Sequence, residues 1–306
     1  GLDLTLLNNR LNVNLDYYDK LTDPLLAAVS VPSSVGSKRV MTNVGSQRTQ
    51  GVSGTVKYSP VYHPEERINW TLSASFKHQK AKYEDIGNSL DQFNKENLNT
   101  SLVRYYDGGS PTALWAVRSL GINPSDGREL FLTKEGTYTF EYDTEDEVVV
   151  GNSEPKLEGV LGSTLYWKGF SFSLYFRYSL GADVFTEATY NKVENISLAG
   201  LKSNQDKRAL HDRWQKPGDH AKFKGISLTE TTPISSRFVL RENYIKAESI
   251  SVGYDFESQA VQKLGIQSLR LQANTTDLFR ISSIKEERGI EYPFARSFSF
   301  SLSAMF

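Results

Sequence analysis

The 306 residues carry 35 Lys and Arg against 36 Asp and Glu, interspersed to a net charge of −1, so no long-range field gathers nucleic acid or anionic lipid. There is no cysteine, which removes disulfides, thiolate metal sites and thiol nucleophiles. The longest apolar run, Leu25-Leu26-Ala27-Ala28-Val29, is far short of the ~18 residues of a spanning helix. That excludes a helical membrane protein but not a barrel, whose alternating faces average to a polar composition.

Read for a period of two, the chain gives about nine strands. Leu2, Leu4 and Leu6 alternate up to the turn-forming Asn8-Asn9-Arg10. Leu11, Val13, Leu15 and Tyr17 then alternate with Asn12, Asn14 and Asp16, which predicts a hairpin. After a stretch through Pro24, Pro32 and Gly36, the period resumes at Val52, Gly54, Val56 and Tyr58. Ser59 to Arg67 turn the chain, and Ile68, Trp70, Leu72, Ala74 and Phe76 return. From about Lys77 to Glu154 runs an insertion too long for an ordinary connection. Leu161, Ser163, Leu165 and Trp167 approach Lys168-Gly169, and Phe170, Phe172, Leu174, Phe176 and Tyr178 leave it. A two-residue turn there sets Trp167 opposite Phe170. A second long segment, roughly Asp183 to Asn243, precedes Ile250, Val252, Tyr254 and Phe256. A turn around Val261 to Gly265 leads to Leu269, Leu271 and Ala273, and a loop from Asp277 to Phe294 precedes the last strand. There Phe298, Phe300, Leu302, Ala304 and Phe306 alternate with Ser297, Ser299, Ser301 and Ser303.

The connections therefore run short, long, short, long throughout, with long ones at about 22–48, 77–154, 183–243 and 277–294. Short periplasmic turns and long extracellular loops produce this sorting in a transmembrane β-barrel, and a soluble sandwich has mostly short loops. The expectation is an all-β chain in which Val52, Val56, Leu72, Phe172, Leu174, Phe176, Ile250, Val252, Leu271, Phe300 and Leu302 face lipid. Sixteen Tyr, sixteen Phe and four Trp suit interfacial girdles. Nine strands would place Gly1 at the extracellular end and leave two unpaired edges in lipid, so upstream strands are expected to close the barrel. Gly1 to Leu6 lacks the basic and long apolar regions of a signal peptide, so the expectation is that one was removed or that the chain begins inside a longer protein.

Several segments together resemble SusC/RagA-family TonB-linked transporters of Bacteroidota. They are Gly1 to Leu4 through Asn9-Arg10-Leu11, Asp16 to Leu26, Asn43-Val44-Gly45 before Gln50-Gly51-Val52, Gly151 to Lys156 and Tyr166 to Phe170. Asp212 to Asp219, Glu242 to Lys246, Ile250 to Tyr254 and Thr276 to Phe279 complete the series, in the family's order. Near the end, Gly289-Ile290-Glu291-Tyr292-Pro293 stands where the family often has a Gly-x-Asp-Pro-Glu-like stretch. The resemblance implies the C-terminal third of a plugged barrel of about 22 strands in the outer membrane. It implies active import of an oligosaccharide or, alternatively, a peptide, under a SusD-like surface lipoprotein, with energy from the TonB-ExbB-ExbD machinery through segments outside this chain. The final Phe306 resembles the signal read by the barrel-assembly machinery. A non-transporting surface adhesin or carbohydrate-binding β protein is the other class in play.

Catalytic chemistry is not readable. His63, His78, His211 and His220 are too dispersed for a metal set. Gly51-Val52-Ser53-Gly54 lacks the spacing of a nucleophile elbow and falls inside a strand. The acidic run Asp143 to Glu147 lacks the ordered spacing of a Ca2+ loop and reads as a solvated loop. No enzyme, metal or cofactor is expected. Tyr105, Tyr106, Trp115 and Trp214 fall in the long loops, where aromatic faces stack on sugar rings, and they are the candidate substrate or partner contacts.

Overall fold

The computed structural model describes residues 1–30, 34, 36, 39–227, 229–256, 265–285 and 296–306. Of the expected turn around Val261 to Gly265, Val261 to Leu264 lie outside the described residues, as does the stretch Gly289 to Pro293. In chain order the strands begin with β1 (Leu2–Leu6), β2 (Leu11–Thr22), β3 (Leu26–Ser30), β4 (Arg39–Asn43), β5 (Ser46–His63) and β6 (Ile68–Glu84). Next come β7 (Ala113–Ile122), β8 (Glu129–Leu132), β9 (Tyr138–Thr139), β10 (Glu147–Asn152), β11 (Leu157–Trp167) and β12 (Phe170–Phe185). The last are β13 (Val239–Phe256), β14 (Ser268–Thr276), β15 (Arg280–Ser282) and β16 (Ser297–Met305).

Nine of these form one continuous antiparallel wall, in the order β1-β2-β5-β6-β11-β12-β13-β14-β16, with the short β15 added to β13. The register carries the alternation of each strand across the whole sheet. Leu4, Val13, Val56, Ala74, Leu161 and Phe176 are successive cross-strand partners, and so are Leu165, Phe172, Val252, Ala273 and Phe300. The opposite face pairs Ser73, Gly162, Tyr175, Ser249, Thr276 and Ser297. A one-residue slip anywhere would exchange the two faces, so this consistency fixes the register. Much of the apolar face is open among the described residues: Phe300 is 77% and Leu302 68% exposed. Apolar surface on that scale needs lipid or a partner over it.

The polar face makes its own contacts. Gln272 donates to Ser251 Oγ at 2.8 Å, and Lys77 pairs with Glu158 at 3.3 Å. Arg177 reaches Glu248 at 2.6 Å, where a bulge in the β12–β13 pairing turns the glutamate toward it.

Short turns close one end of the wall. Lys168 and Gly169, at φ 47° and 96°, make the two-residue turn whose primed geometry matches strand twist, and Trp167 faces Phe170 across it. Their rings stack at 6.1 Å, and the row continues from Phe170 to Tyr254 at 4.4 Å and Tyr254 to Phe256 at 4.6 Å. This is an aromatic girdle on the apolar face at the short-turn end.

The long connections leave from the other end, and they are built rather than loose. β6 continues to Glu84 and β12 to Phe185, while β13 starts at Val239, so the wall is taller than hydrophobic alternation suggested. Polar residues such as Lys80 and Lys82 hid these strand ends, because beyond the apolar band neither face needs to be apolar. The first connection holds the β3–β4 hairpin. The second holds α1 (Asp91–Glu96) and a four-stranded sheet ordered β10-β7-β8-β9. The third holds α2 (Glu187–Thr189) and α3 (Arg208–His211), and the last contains β15 where a plain loop was expected.

Candidate functional site

The second and third connections share one body. Val117 bridges Ser235, the Ser119 N–H donates to Ser236 Oγ at 2.9 Å, and Trp214 Nε1 donates to the Pro124 carbonyl at 2.9 Å. At its centre Arg237 binds Glu129 at 2.9 Å and Glu194 at 3.0 Å, one glutamate from each connection. Both glutamate side chains are almost wholly buried. Burial opposes the Arg237 charge, but the hydrogen bonds it donates to Glu194 and Glu129 outweigh it and hold the guanidinium above its ordinary pKa. Beside them Val193, Ile196, Ala209, Phe223 and Phe238 form an apolar core.

Within this body, β7 and β10 set one wall of an open cleft of about 1370 Å³, and α1 sets another. In the Ala113-Leu114-Trp115-Ala116-Val117 run of β7 only Trp115 is half-buried, where it lines the cleft, while its four neighbours are buried. Tyr106 comes from the adjoining segment, and its ring centroid is 5.1 Å from that of Trp115. Two devices hold that segment in place. Asn94 of α1 exchanges hydrogen bonds with Tyr105, donating to its carbonyl at 2.8 Å and accepting from its N–H at 2.9 Å. Arg104, 1% exposed, makes a bidentate pair with Glu147 at 2.9 and 2.8 Å and donates to the Ser101 and Val103 carbonyls.

The four aromatic residues singled out in the sequence thus divide. Tyr106 and Trp115 meet in the cleft. Tyr105 turns the other way, into a cluster with Tyr83 and Phe93 at 5.5 Å from each. Trp214 packs on Gly127, whose positive φ of 72° and bare Cα leave room for the indole; a Cβ there would come within 2.5 Å of it. Both rings are packing elements. The acidic run is also not simply solvated. Asp143 accepts from the Glu145 N–H, Asp146 accepts from the Lys134 N–H at 2.9 Å, and Glu147 is the buried partner of Arg104. Its sequence reads as loop because the residue that neutralises Glu147 is 43 positions away.

Sequence reasoning missed Asn94, Arg104, Glu129, Glu194 and Arg237, which are ordinary loop polar residues until the fold pairs them. The runs Ala113 to Val117 and Val148-Val149-Val150 were the available signal for internal strands. Phe306 follows β16 and is 81% exposed.

The family model described as TonB dependent receptor-like, beta-barrel, matches residues 1–185. A TonB-dependent receptor of Formosa agariphila is 24% identical over 92% of this chain and 31% of its own length. The TonB-dependent receptor SusC of Bacteroides thetaiotaomicron is 24% identical over 100% of this chain and 31% of its own length. Among solved structures, the RagAB peptide importer in its closed-closed state superposes with a TM-score of 0.74 at 19% identity, over 91% of this chain and 31% of that one. Its open-open state gives 0.70 at 20% identity, over 92% and 30%. The chain therefore spans about a third of the length of these relatives and corresponds to the C-terminal part of the barrel. With nine wall strands in register and more than half of its length matched by the family model, the chain belongs to the TonB-dependent receptor-like β-barrel family of the outer membrane.

Proposed function

We propose that this chain is part of an outer-membrane importer that takes up an oligomeric nutrient with energy from TonB, under a SusD-like surface lipoprotein. The observation that carries this reading is the wall: among the described residues it has one apolar face, one polar face, and its long connections at one end. Its open edges, β1 and β16, need further strands to close in lipid, and the relatives are three times as long. The long connections lie at the cell surface in this reading. As the chain has no cysteine, a single one at Tyr138, 73% exposed, reports on their position. It should react with a membrane-impermeant maleimide in whole cells, while one at Leu7 in the β1–β2 turn should react only after permeabilisation. The reverse pattern would invert the topology.

Import itself is tested by uptake of labelled maltohexaose, laminarihexaose and casein peptides in cells carrying the full-length protein. Uptake should vanish with a protonophore or without TonB. Surface binding that survives both treatments without internalisation would favour the adhesin class. For the cargo, the Tyr106–Trp115 ring pair supports an oligosaccharide and fits a peptide equally well; the structural likeness to a peptide importer supports the second. Phe306 is proposed as an assembly signal: its deletion should lower the amount of heat-modifiable barrel in the membrane, and unchanged amounts would remove that role.

A further inference from the structure

One side of the cleft is a strand edge open at Val149; on either side of it the Glu147 N–H donates to the Thr144 carbonyl and the Asn152 N–H to Asp183 at 3.0 Å. Among the described residues β10 is the outermost strand of its sheet and pairs with β7 alone. Which of its backbone groups point outward follows from Trp115. That residue lies directly opposite Val149, yet its N–H donates to the Leu102 carbonyl at 2.8 Å, on the far side of β7. Opposed residues in an antiparallel pair either exchange both hydrogen bonds or neither. The N–H and C=O of Val149 therefore point away from β7, out of the sheet. Neither has a partner among the described residues, and Val149 is 53% exposed. Such an edge is a template for one more strand.

The surroundings suit a particular strand. Trp115 and Val149 share a sheet face and Tyr106 covers Trp115, so a chain laid along β10 would turn alternate side chains toward the ring pair. The cleft also presents charges of both signs: Lys95 and Lys134 against Glu135 and Glu145. The ends of these four side chains make no hydrogen bond or ion pair among the described residues. A neutral glycan would use the rings but neither the backbone edge nor the opposed charges. A peptide, with a backbone amide to set against Val149 and charged ends, uses all three.

We propose that this cleft takes an extended oligopeptide as cargo, added to β10 as a strand through the N–H and C=O of Val149, with side chains against Trp115 and Tyr106. This rests on the import reading, since the peptide is its cargo.

The test uses the full-length transporter in detergent, exposed to a casein digest mixed with maltohexaose and laminarihexaose, with retained compounds identified by mass spectrometry. A retained peptide is then synthesised with and without N-methyl groups on alternate amides. N-methylation in one of the two registers should weaken binding at least tenfold. Val149→Pro, which removes the outward N–H at an edge position that tolerates proline, should do the same, and Val149→Ala should stay within about twofold. Tyr106→Ala, at an exposed ring, should weaken binding about threefold to tenfold and does not depend on the proline variant folding. The proposal is overturned if both N-methylated registers bind like the parent, if hexasaccharides are retained in place of peptides, or if nothing is retained. Cellular uptake separates this from the import reading. Peptide uptake undiminished in Val149→Pro would remove the edge site and leave import standing; retention by purified protein without any TonB-dependent uptake would do the opposite.

Discussion

The wall and the loop body are stabilised by different physics within one chain. The largest fully buried side chains among the described residues are Arg104, Phe238, Ile86, Leu90, Val44, Val117, Val193 and Ser235, and every one lies outside the nine wall strands. The wall is one layer thick, so each side chain faces lipid or lumen, and its order comes from the hydrogen-bonded ladder and from the medium on each face. The loop body has what a small soluble domain has: an apolar core, internal strands and buried ion pairs. A membrane can support the first but does nothing for the second. Connections of this length keep a defined cleft because they carry their own interior, which offsets the entropy of ordering them.

The sharpest way to break the comparison is to damage one region and ask whether the other notices. Arg237→Met leaves Glu129 and Glu194 buried without their common cation, a situation that costs about 3–5 kcal/mol. The loop body should become protease-sensitive in whole cells while the barrel keeps its heat-modifiable mobility. Loss of both together would show that the wall depends on the loops. The converse damage is Leu174→Arg, on the apolar face between Ser163 and Ile250. Near mid-membrane it should cost about 2–4 kcal/mol of barrel stability, and Ser173→Arg, on the lumen face, should cost much less. Denaturant unfolding in detergent or lipid measures both, and equal costs would undo the assigned faces.

The difference between the regions also explains what was legible beforehand. The wall obeys one rule, a period of two, and Leu2 to Tyr17, Trp167 to Tyr178 and Phe298 to Leu302 state it plainly in the sequence. Where the rule relaxes, at Lys77 to Glu84 beyond the apolar band, the strand is hidden. The loop body obeys no single period. Its shape depends on pairs far apart in sequence, such as Arg104 with Glu147 and Arg237 with Glu129, 108 residues away. Of the four aromatic candidates, residue type alone could not separate Trp115, which lines a cleft, from Trp214, which fills a gap over Gly127. The neighbour decides, and the neighbour is set by tertiary structure.

That division of the two tryptophans supports a finer test within the loop body. Trp214→Ala should cost about 2 kcal/mol, less than a fully buried indole because the ring is only partly covered. It should loosen the contact at Pro124 yet leave ligand retention by the folded fraction unchanged, whereas Trp115→Ala should reduce retention with little effect on loop protection. Exchanged phenotypes would mean that the cleft is wrongly placed.

The smallest expected effect concerns Asp206, where the loop body is held by a local charge pair. Its carboxylate accepts from the Arg208 side chain at 2.6 and 3.0 Å and from the Arg208 N–H at 2.9 Å, and the side-chain bonds chiefly depress its pKa to about 2. A depressed folded-state pKa means that the contribution is complete above the ordinary value near 3.8 and is lost as pH falls toward about 2. Both side chains are about a quarter exposed, so water screens the pair and the contribution should be no more than about 1 kcal/mol. Pepsin cleavage around α3 should therefore rise in the wild type relative to Asp206→Asn as pH is lowered from 4 to 2, until the two coincide. If the two cleave alike already at pH 4, Asp206 contributes nothing to the loop body, and its stability rests on the buried Arg237 cluster and the apolar core.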